Sequence, residues 1–408
     1  MQSDLVKLFE ENGWIENAEV IKNHIGPFIE PTEFRHHNYT DQRYPHLTHL
    51  YSIGKSVQGR ELPVITIALN PSYEDPNVPD FKYVANMHGN EVTGRELCLM
   101  LIQVLLENYG KNEYLTRLVN TTSIHIMPTM NPDGYEMATE GDVQGVKGRR
   151  NANMVDLNRD FPNRFYPLYK SPQPETLAVM NWTKKIPFVL SANLHDGTML
   201  VNYPYDDGTN DRTVAHTPDH NLFVRLAYSY ARSHTYMWKK GPRCLPDYGG
   251  EPRTGITNGA EWYPVSGGMQ DWNYVNTDCF EITVEMSCQK FPYARELPRI
   301  WNEHKYALIG YISQVHKSLT GMIRDRITGR GIDDVEVQVR DAGKIVHSKK
   351  GGAYFRLLNP GRYTVVFGHP NYEPVSYEFS TLEVPYKRLD ITMTPRTARA
   401  TYSGKADS

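Results

Sequence analysis

The sequence predicts an α/β domain, a mixed β-sheet flanked by helices, followed by a small all-β sandwich. Three observations predict it. From about residue 33 to 317, short apolar β-prone runs alternate with longer helical ones, the pattern of a largely parallel or mixed sheet. After "LIGYISQVHKSLTG" the segments become short, alternating and separated by Gly, Pro or Asn, as in a sandwich. The chain is 408 residues long, enough for two domains and a large core.

The elements follow in order. Residues 1–32 form an N-terminal extension, and "MQSDLVKLFEENGWIENAEVI" reads as one or two amphipathic helical turns that cover an exposed face. "FKYVA", "TSIHIMPTM", "FVLSANLH" and "CFEITVEMSC" read as strands, and "GRELCLMLIQVLLENY" and "PETLAVMNWTKKI" as helices. Residues 318–395 hold "VEVQVRD", "KIVHSKK", "AYFRLL", "RYTVVFG", "VSYEFS" and "RLDITMT", six short β segments. His347 and His369 are isolated there and read as loop or surface residues. Residues 396–408 are polar and expected to be disordered. No internal repeat is visible.

Composition narrows the class of function. The chain carries 44 basic and 47 acidic side chains, a formal net charge of −3, which argues against a nucleic-acid surface or a polybasic membrane arm. No run of 18 apolar residues offers a membrane span, and no signal-peptide pattern opens the chain. Three N-x-S/T sequons, at Asn38, Asn120 and Asn181, permit a secreted glycoprotein without establishing one. Of the four cysteines, Cys98 lies in an apolar helix and reads as a buried free thiol. Cys244 sits in a loop between Pro242 and Pro246. Cys279 and Cys288 are nine apart, about 30 Å in extended chain, too far to pair without a turn.

The chemistry is concentrated in "NMHGNEVTGREL". His88 and Glu91 stand three apart where a strand ends and a helix begins. Two readings are open: a turn whose glutamate lies in the first helical turn, where an acid is favourable, or two of the three protein ligands of a catalytic zinc. A third ligand should come from another strand end, where open α/β sheets place ligands. His195, closing "FVLSANLH", is in such a position. In "CFEITVEMSC", Glu281 and Glu285 are four apart and share one strand face, and an acid buried there needs a reason.

Several further stretches stand in order along the chain: "MPTMNPDGYE", "VDLNRDFPN", "PQPETLAVMNW", "SANLHDG", "NYPYD" and "GITNGAEWYPVSGGMQDWNY". With the HGNE and ITVEMSC stretches, they resemble the zinc carboxypeptidases from about residue 33 to 394. The likeness is to the branch of carboxypeptidases D, E, M and N, whose D-type units pair the catalytic domain with a transthyretin-like β domain. The resemblance implies one Zn2+ held by His88, Glu91 and His195, with Asp156 orienting the first histidine. It implies Glu285 as general base toward a water on that zinc, and Arg149 as the cation beside the developing oxyanion. Asn158 and Arg159 would grip the substrate's free carboxylate, and Tyr263 would close over it. Asp206, Asn202 and Gln270 would line the pocket for the terminal side chain. A Cys244–Cys288 disulfide and work in the secretory pathway or outside the cell are implied too.

Each role is chemically sensible. A zinc-bound water has its pKa lowered to about 7, and a nearby carboxylate can pass its proton to the leaving amine. A guanidinium matches a terminal carboxylate bidentately where a lysine would not. A buried acid left unpaired costs about 3 to 5 kcal/mol, so Asp206 would select Arg or Lys. Without the resemblance, Asp206 and Asp207 read as an ordinary Asp-Asp-Gly turn, and Arg150 as a solvated charge. The expected function is a B-type metallocarboxypeptidase acting as a monomer on peptides and proteins that end in Arg or Lys. Alternatives are a catalytically weakened relative that binds peptide termini or a partner, and a zinc amidohydrolase acting on acyl amino acids. A third, an acidic-residue carboxypeptidase, would want Arg or Lys where Asp206 stands. Two departures bear on activity: Asp196 beside His195, facing solvent or adding charge near the metal, and Asp160 beside Arg159, able to perturb it through charge. Met286 after Glu285 is a volume-conserving change.

Overall fold

The computed structural model describes residues 14–31, 43–71, 75–165, 171–208, 212–239, 244 and 254–396. Residues 1–13, Asn38 with its sequon, and 397–408, for which helical turns, a glycosylation site and a polar tail are expected, lie outside the described residues.

An eight-stranded mixed sheet forms the centre, in the order β1-β2-β4-β3-β5-β8-β6-β7. Its strands are β1 (Thr48–Lys55), β2 (Glu61–Ile67), β3 (Asp80–Ala85), β4 (Ser123–Met127), β5 (Phe188–His195), β6 (Leu200–Tyr203), β7 (Ile256–Asn258) and β8 (Phe280–Glu285). The inner strands β4, β3, β5 and β8 run parallel. In β5 and β8 every residue is buried, which is why these strands read as continuous apolar runs and not as alternation.

Helices α2 (Thr93–Glu107) and α5 (Pro174–Lys185) carry the two helical stretches read from the sequence. Between and after them come α3 (Glu113–Thr121), α4 (Pro132–Met137), α6 (His220–Ser233), α7 (Gly259–Trp262), α8 (Met269–Asn276) and α9 (Leu297–Ile312). The extension does more than cover a face. Its helix α1 (Ala18–Ile25) is capped by Asn17, whose side chain accepts from Glu19 and Val20 N–H. Trp14, Ile15, Ile21 and Ile25 are buried in the main core. The Asn112 amide ties the extension down, donating to the Ile25 and Pro27 carbonyls at 2.7 and 3.0 Å.

The C-terminal strands form two further sheets, β11-β10-β13-β14 and β12-β9-β15, with β16 on β9. Their spans are β9 (Ser318–Asp325), β10 (Glu336–Val339), β11 (Val346–His347), β12 (Ala353–Leu357), β13 (Arg362–Gly368), β14 (Val375–Ser380), β15 (Lys387–Arg388) and β16 (Ile391–Met393). The sequence pattern does not reveal strand β9. The helical run before it and its Gly321 hide it. That glycine is a packing necessity, since a Cβ there would lie 2.1 Å from the Leu389 carbonyl oxygen.

The sandwich is joined to the α/β body by buried charge. Arg356 in β12 donates to Asp219 Oδ1 at 2.7 Å, and Asp219 Oδ2 accepts from the Tyr274 hydroxyl and the Lys344 N–H. His347 is exposed at this seam and bonds Asp278 through its backbone N–H at 2.8 Å. Cys244 and Cys288 form a disulfide with Cα atoms 4.9 Å apart, while Cys98 and Cys279 are free and buried. Among the described residues no helix is long and apolar enough to cross a membrane.

Candidate active site

Three neighbouring parallel strands, β3, β5 and β8, end at one edge, and the candidate residues sit at or just beyond those ends. His195 closes β5 and lies opposite Glu285, which closes β8. Beyond β3 the chain turns at Asn86, in the left-handed region at φ 56°, a conformation asparagine tolerates. The Asn86 amide then donates to the carbonyls of His88, Gly89 and Glu91 at 3.0, 2.9 and 3.0 Å. Gly89 is required in that turn, since a Cβ would fall 2.2 Å from the Gly134 carbonyl carbon.

This turn delivers His88 and Glu91 to His195. Glu91 Oε2 lies 2.9 Å from each of His88 Nδ1 and His195 Nδ1, and the two Nδ1 atoms are 3.1 Å apart. Among the described residues these three form the group able to hold a metal ion, and all are buried. The Glu91 carboxylate does not cap α2, whose N-cap Val92 has no side-chain bond. Of the two readings of His88 and Glu91, the geometry matches the ligand pair.

The donor set fits zinc. His88 Nε2 lies 2.9 Å from Asp156 Oδ1, which directs the ring's other nitrogen at Glu91, the carboxylate–histidine arrangement of zinc sites. Burial opposes a charge on Glu91, yet the two rings hold it well below the usual carboxylate range. Two imidazole nitrogens and a carboxylate oxygen converging in a buried space are a donor set that suits a zinc ion.

The surroundings are cationic on one side and acidic on the other. Arg149 donates to Glu91 Oε1 at 3.1 Å and to Asp156 Oδ2 through Nε at 3.1 Å. Burial works against Asp156, but His88 and Arg149 hold it well below the usual carboxylate range. Lys290, which no sequence pattern singles out, also reaches Glu91 Oε1, at 3.4 Å. Glu285 is 8% exposed. Burial, followed by repulsion from Glu91, raises it well above the usual range, with Lys290 and Arg149 pulling the other way. Glu281, on the same strand face, is engaged elsewhere: its Oε2 accepts from Lys82 at 3.0 Å and from Ser191 at 2.6 Å. Among the described residues Arg150 bonds the neighbouring Met154 carbonyl, at 3.3 Å, and is exposed, as a surface charge would be.

The remaining candidates form two groups. Asn158 and Arg159 lie on a single 3-10 turn, and Asp156 caps it by accepting the Asn158 N–H at 3.0 Å. The Arg159 guanidinium touches the Asn158 carbonyl at 2.8 Å, and Asn158 Oδ1 accepts the Met269 N–H at 3.1 Å. In the second group Asn202 Nδ2 donates to Asp206 Oδ1 at 2.8 Å, and Gln270 Nε2 approaches Asn202 Oδ1 at 3.4 Å. Asp206 is 3% exposed. Burial pushes its pKa up to about 7, with the Asn202 bond and Arg159 opposing. Tyr263 is 38% exposed. Burial of its hydroxyl and the field of Glu285 raise its pKa, while Arg159 and Arg149 act against them.

Both departures are engaged by backbone N–H groups at the starts of helices, and Asp196 stays beside the site, its own N–H reaching Glu91 Oε2 at 3.3 Å. Asp196 is buried and accepts the Thr93 N–H through Oδ2 at 2.9 Å, supplying α2 with the cap Val92 lacks. Asp160 accepts the Gln173 N–H at 2.6 Å, at the start of α5.

Comparison with known proteins agrees with this geometry. A family model described as zinc carboxypeptidase matches residues 36–307. The chain is 48% identical over 371 residues to carboxypeptidase D of Anas platyrhynchos, covering 88% of this chain and 26% of that one. It is 43% identical to carboxypeptidase M of Mus musculus, covering 85% and 81%, and 43% identical to the mouse carboxypeptidase N catalytic chain, covering 86% and 84%. Among solved structures, thrombin activatable fibrinolysis inhibitor aligns with TM-score 0.52 at 19% identity over 67% of this chain and 71% of that one, a likeness of fold. The chain belongs to the zinc carboxypeptidase family, and its cofactor is zinc. It spans about a quarter of the length of the carboxypeptidase D chains it matches.

Orientation of His88 by Asp156 leads to a prediction. Removing such an outer partner typically costs 10- to 100-fold in metal affinity. Asp156→Asn should weaken zinc binding by about that factor, read by competition with a chromogenic chelator, without loss of fold by circular dichroism.

Proposed function

We propose that the protein is a zinc-dependent exopeptidase that removes Arg or Lys from the carboxyl terminus of peptides and proteins. One observation carries this reading: the buried acid Asp206, held by Asn202 beside Gln270, borders the triad's strands, since Asn202 in β6 pairs with Thr283, two residues before Glu285 in β8, and a Cβ on Gly268 would meet both Asp206 Oδ2, at 3.3 Å, and Asn158 Oδ1, at 3.5 Å. His88, Glu91 and His195 would hold the ion. When bound, zinc supplies Lewis acidity, bringing the pKa of water toward about 7.

The side chains divide the rest of the work. Arg159 and the Asn158 amide bind the terminal carboxylate, so an amidated terminus or an internal bond lacks the handle. Asp206 pairs with the terminal ammonium or guanidinium. Glu285 takes the proton of the attacking water and returns it to the departing amine. Arg149 stabilises the charge that develops on the carbonyl oxygen; one such donor typically contributes about 3 to 4 kcal/mol. Tyr263 covers the substrate. Asp160 and Asp196 each accept a backbone N–H at the start of a helix, which supports an active enzyme over a weakened relative. Residues 33–317 are the catalytic unit in this reading, and 318–395 its transthyretin-like companion. The Cys244–Cys288 disulfide favours an oxidising compartment, hence the secretory route.

The test is a peptide ending in Arg, supplied as free acid and as amide. Release of Arg from the acid, its abolition by a zinc chelator, and no release from the amide are expected. Equal cleavage of the amide would contradict the carboxylate grip.

The Asp206 carboxyl adds a dependence on pH. A group with pKa about 7 is neutral below that pH, and the profile of kcat/KM reports the free enzyme. The ratio of kcat/KM for Arg-ending over Leu-ending substrate should therefore be flat above about pH 8 and fall as pH drops through about 7. Groups common to both substrates cancel in that ratio. A ratio independent of pH from about 5.5 to about 8.5 would remove Asp206 from the pocket.

A further inference from the structure

We propose that Asp271 is a specificity-positioning residue: lying behind the pocket on α8, it holds the backbone that carries Asp206 and so sets where a basic terminal side chain can be met. The proposal deepens the function proposed above and rests on Asp206 being the pocket acid.

Both Asp271 oxygens are engaged by that backbone. Oδ1 accepts the Asp206 N–H and Oδ2 the Asp207 N–H, each at 2.9 Å. With both oxygens spent on these N–H groups, Asp271 acts on a ligand through Asp206 and not by touching it. On the opposite side Asp206 lies against bare backbone: a Cβ on Gly259 would fall 1.8 Å from Asp206 Oδ1. The Asp206 carbonyl accepts the Val265 N–H at 2.9 Å. With Oδ1 taken by Asn202, Oδ2 has no partner among the described residues and remains for a cation.

Helix α8 is a firm base for this arrangement. At its start the Met269 N–H is capped by Asn158 of the carboxylate grip. In its middle Asn273 Oδ1 accepts from the buried Lys82 at 3.1 Å. At its end the Tyr274 hydroxyl bonds Asp219 at 2.8 Å, and the Lys344 ammonium from the sandwich bonds the Tyr274 carbonyl. The same helix contributes Gln270, whose Oε1 accepts from Thr283 at 2.9 Å. One helix thus ties the carboxylate grip to the backbone of the pocket acid. A neutral acceptor would serve a mere turn. A third buried carboxylate beside Asp206 and Asp207 repels them, a cost that a site awaiting a cation recovers when the ligand arrives.

Asp271→Asn preserves size but turns an amide N–H2 toward one of the two backbone donors, so one tether is lost. An unsatisfied buried donor costs about 1 to 3 kcal/mol, with 1.4 kcal/mol equal to tenfold. The experiment measures kcat and KM on acyl dipeptides ending in Arg and Leu, together with zinc content and thermal melting. The expected result is a fall of about tenfold or more in the Arg-over-Leu ratio, carried mainly by KM for Arg. In an Asp206→Asn background the same change should leave the ratio within about twofold. A zinc-loaded, folded Asp271→Asn protein that keeps the wild-type ratio, or loses Arg and Leu activity equally, overturns the proposal. If that variant does not fold, Asp271→Ser, with one acceptor retained, replaces it: a reduced Arg-over-Leu ratio supports the proposal, and an unchanged ratio overturns it. Wild-type protein without a preference for Arg would instead sink the pocket reading itself.

Discussion

Glu285→Gln should lower kcat/KM on an Arg-ending peptide by about 10²- to 10⁴-fold, the range associated with a positioned general acid–base, while zinc content stays at that of the wild type. The reason is positional. Glu285 ends β8 directly opposite His195 at the end of β5, so it borders the ligand triad without contributing an atom to it. Glutamine keeps the shape and cannot accept and return a proton. The loss should fall on kcat with little change in KM, since the substrate's grip on Arg159 and Asp206 is untouched. Loss of zinc from Glu285→Gln, or retention of most of the activity, would place the base elsewhere. Lys290 and Arg149 are cations in the same field, but neither can act as the base while protonated.

Asp206→Asn should erase the preference for basic termini. Burying a cationic side chain opposite an amide leaves that charge unpaired, and breaking a buried ion pair costs about 3 to 5 kcal/mol, or roughly 10²- to 4 × 10³-fold at 1.4 kcal/mol per decade. The drop should appear in kcat/KM for Arg and Lys alike, while Leu-ending substrate holds or improves. The neighbouring tie to Asn202 at 2.8 Å survives in the asparagine variant if its oxygen takes the place of Oδ1, so the pocket keeps its shape. Parallel loss on Arg and Leu substrates would mean that Asp206 supports the fold and does not choose the substrate.

Much of the site was legible because its residues mark the joints of the fold. His88 and Glu91 stand where an apolar strand meets a periodic helix, and His195 ends another apolar run; strand ends are where such sheets bind ligands. Glu285 stands out, with Glu281, as an acid in an otherwise apolar run. What could not be read is whatever depends on segments distant in the chain. Asn86 looks like a turn residue, and nothing local says its amide will tie three carbonyls of the ligand turn. Lys290 follows Gln289 with no pattern to point it at Glu91. Asp271 reads as one more polar residue of α8, because its partners lie 64 and 65 positions away. Asp196 and Asp160 looked like intrusions near the chemistry, and only the packing shows Asp196 capping α2 and Asp160 accepting the N–H of Gln173 just before α5. The β9 strand was lost for a related reason: Gly321 answers to the Leu389 backbone beside it, not to any local preference for strand. Position in the family and position in the chain thus agree on the ligands, and the tertiary fold alone supplies what holds them.

The most direct measurement is hydrolysis of a matched set of acyl dipeptides ending in Arg, Lys, Leu and Glu, with and without a zinc chelator. Chelator-sensitive release of Arg and Lys with little Leu or Glu is the result expected of zinc at the His88–Glu91–His195 triad facing an acidic pocket. No turnover of any member by protein shown to hold one zinc would contradict the enzyme reading and leave a binder of peptide termini in its place.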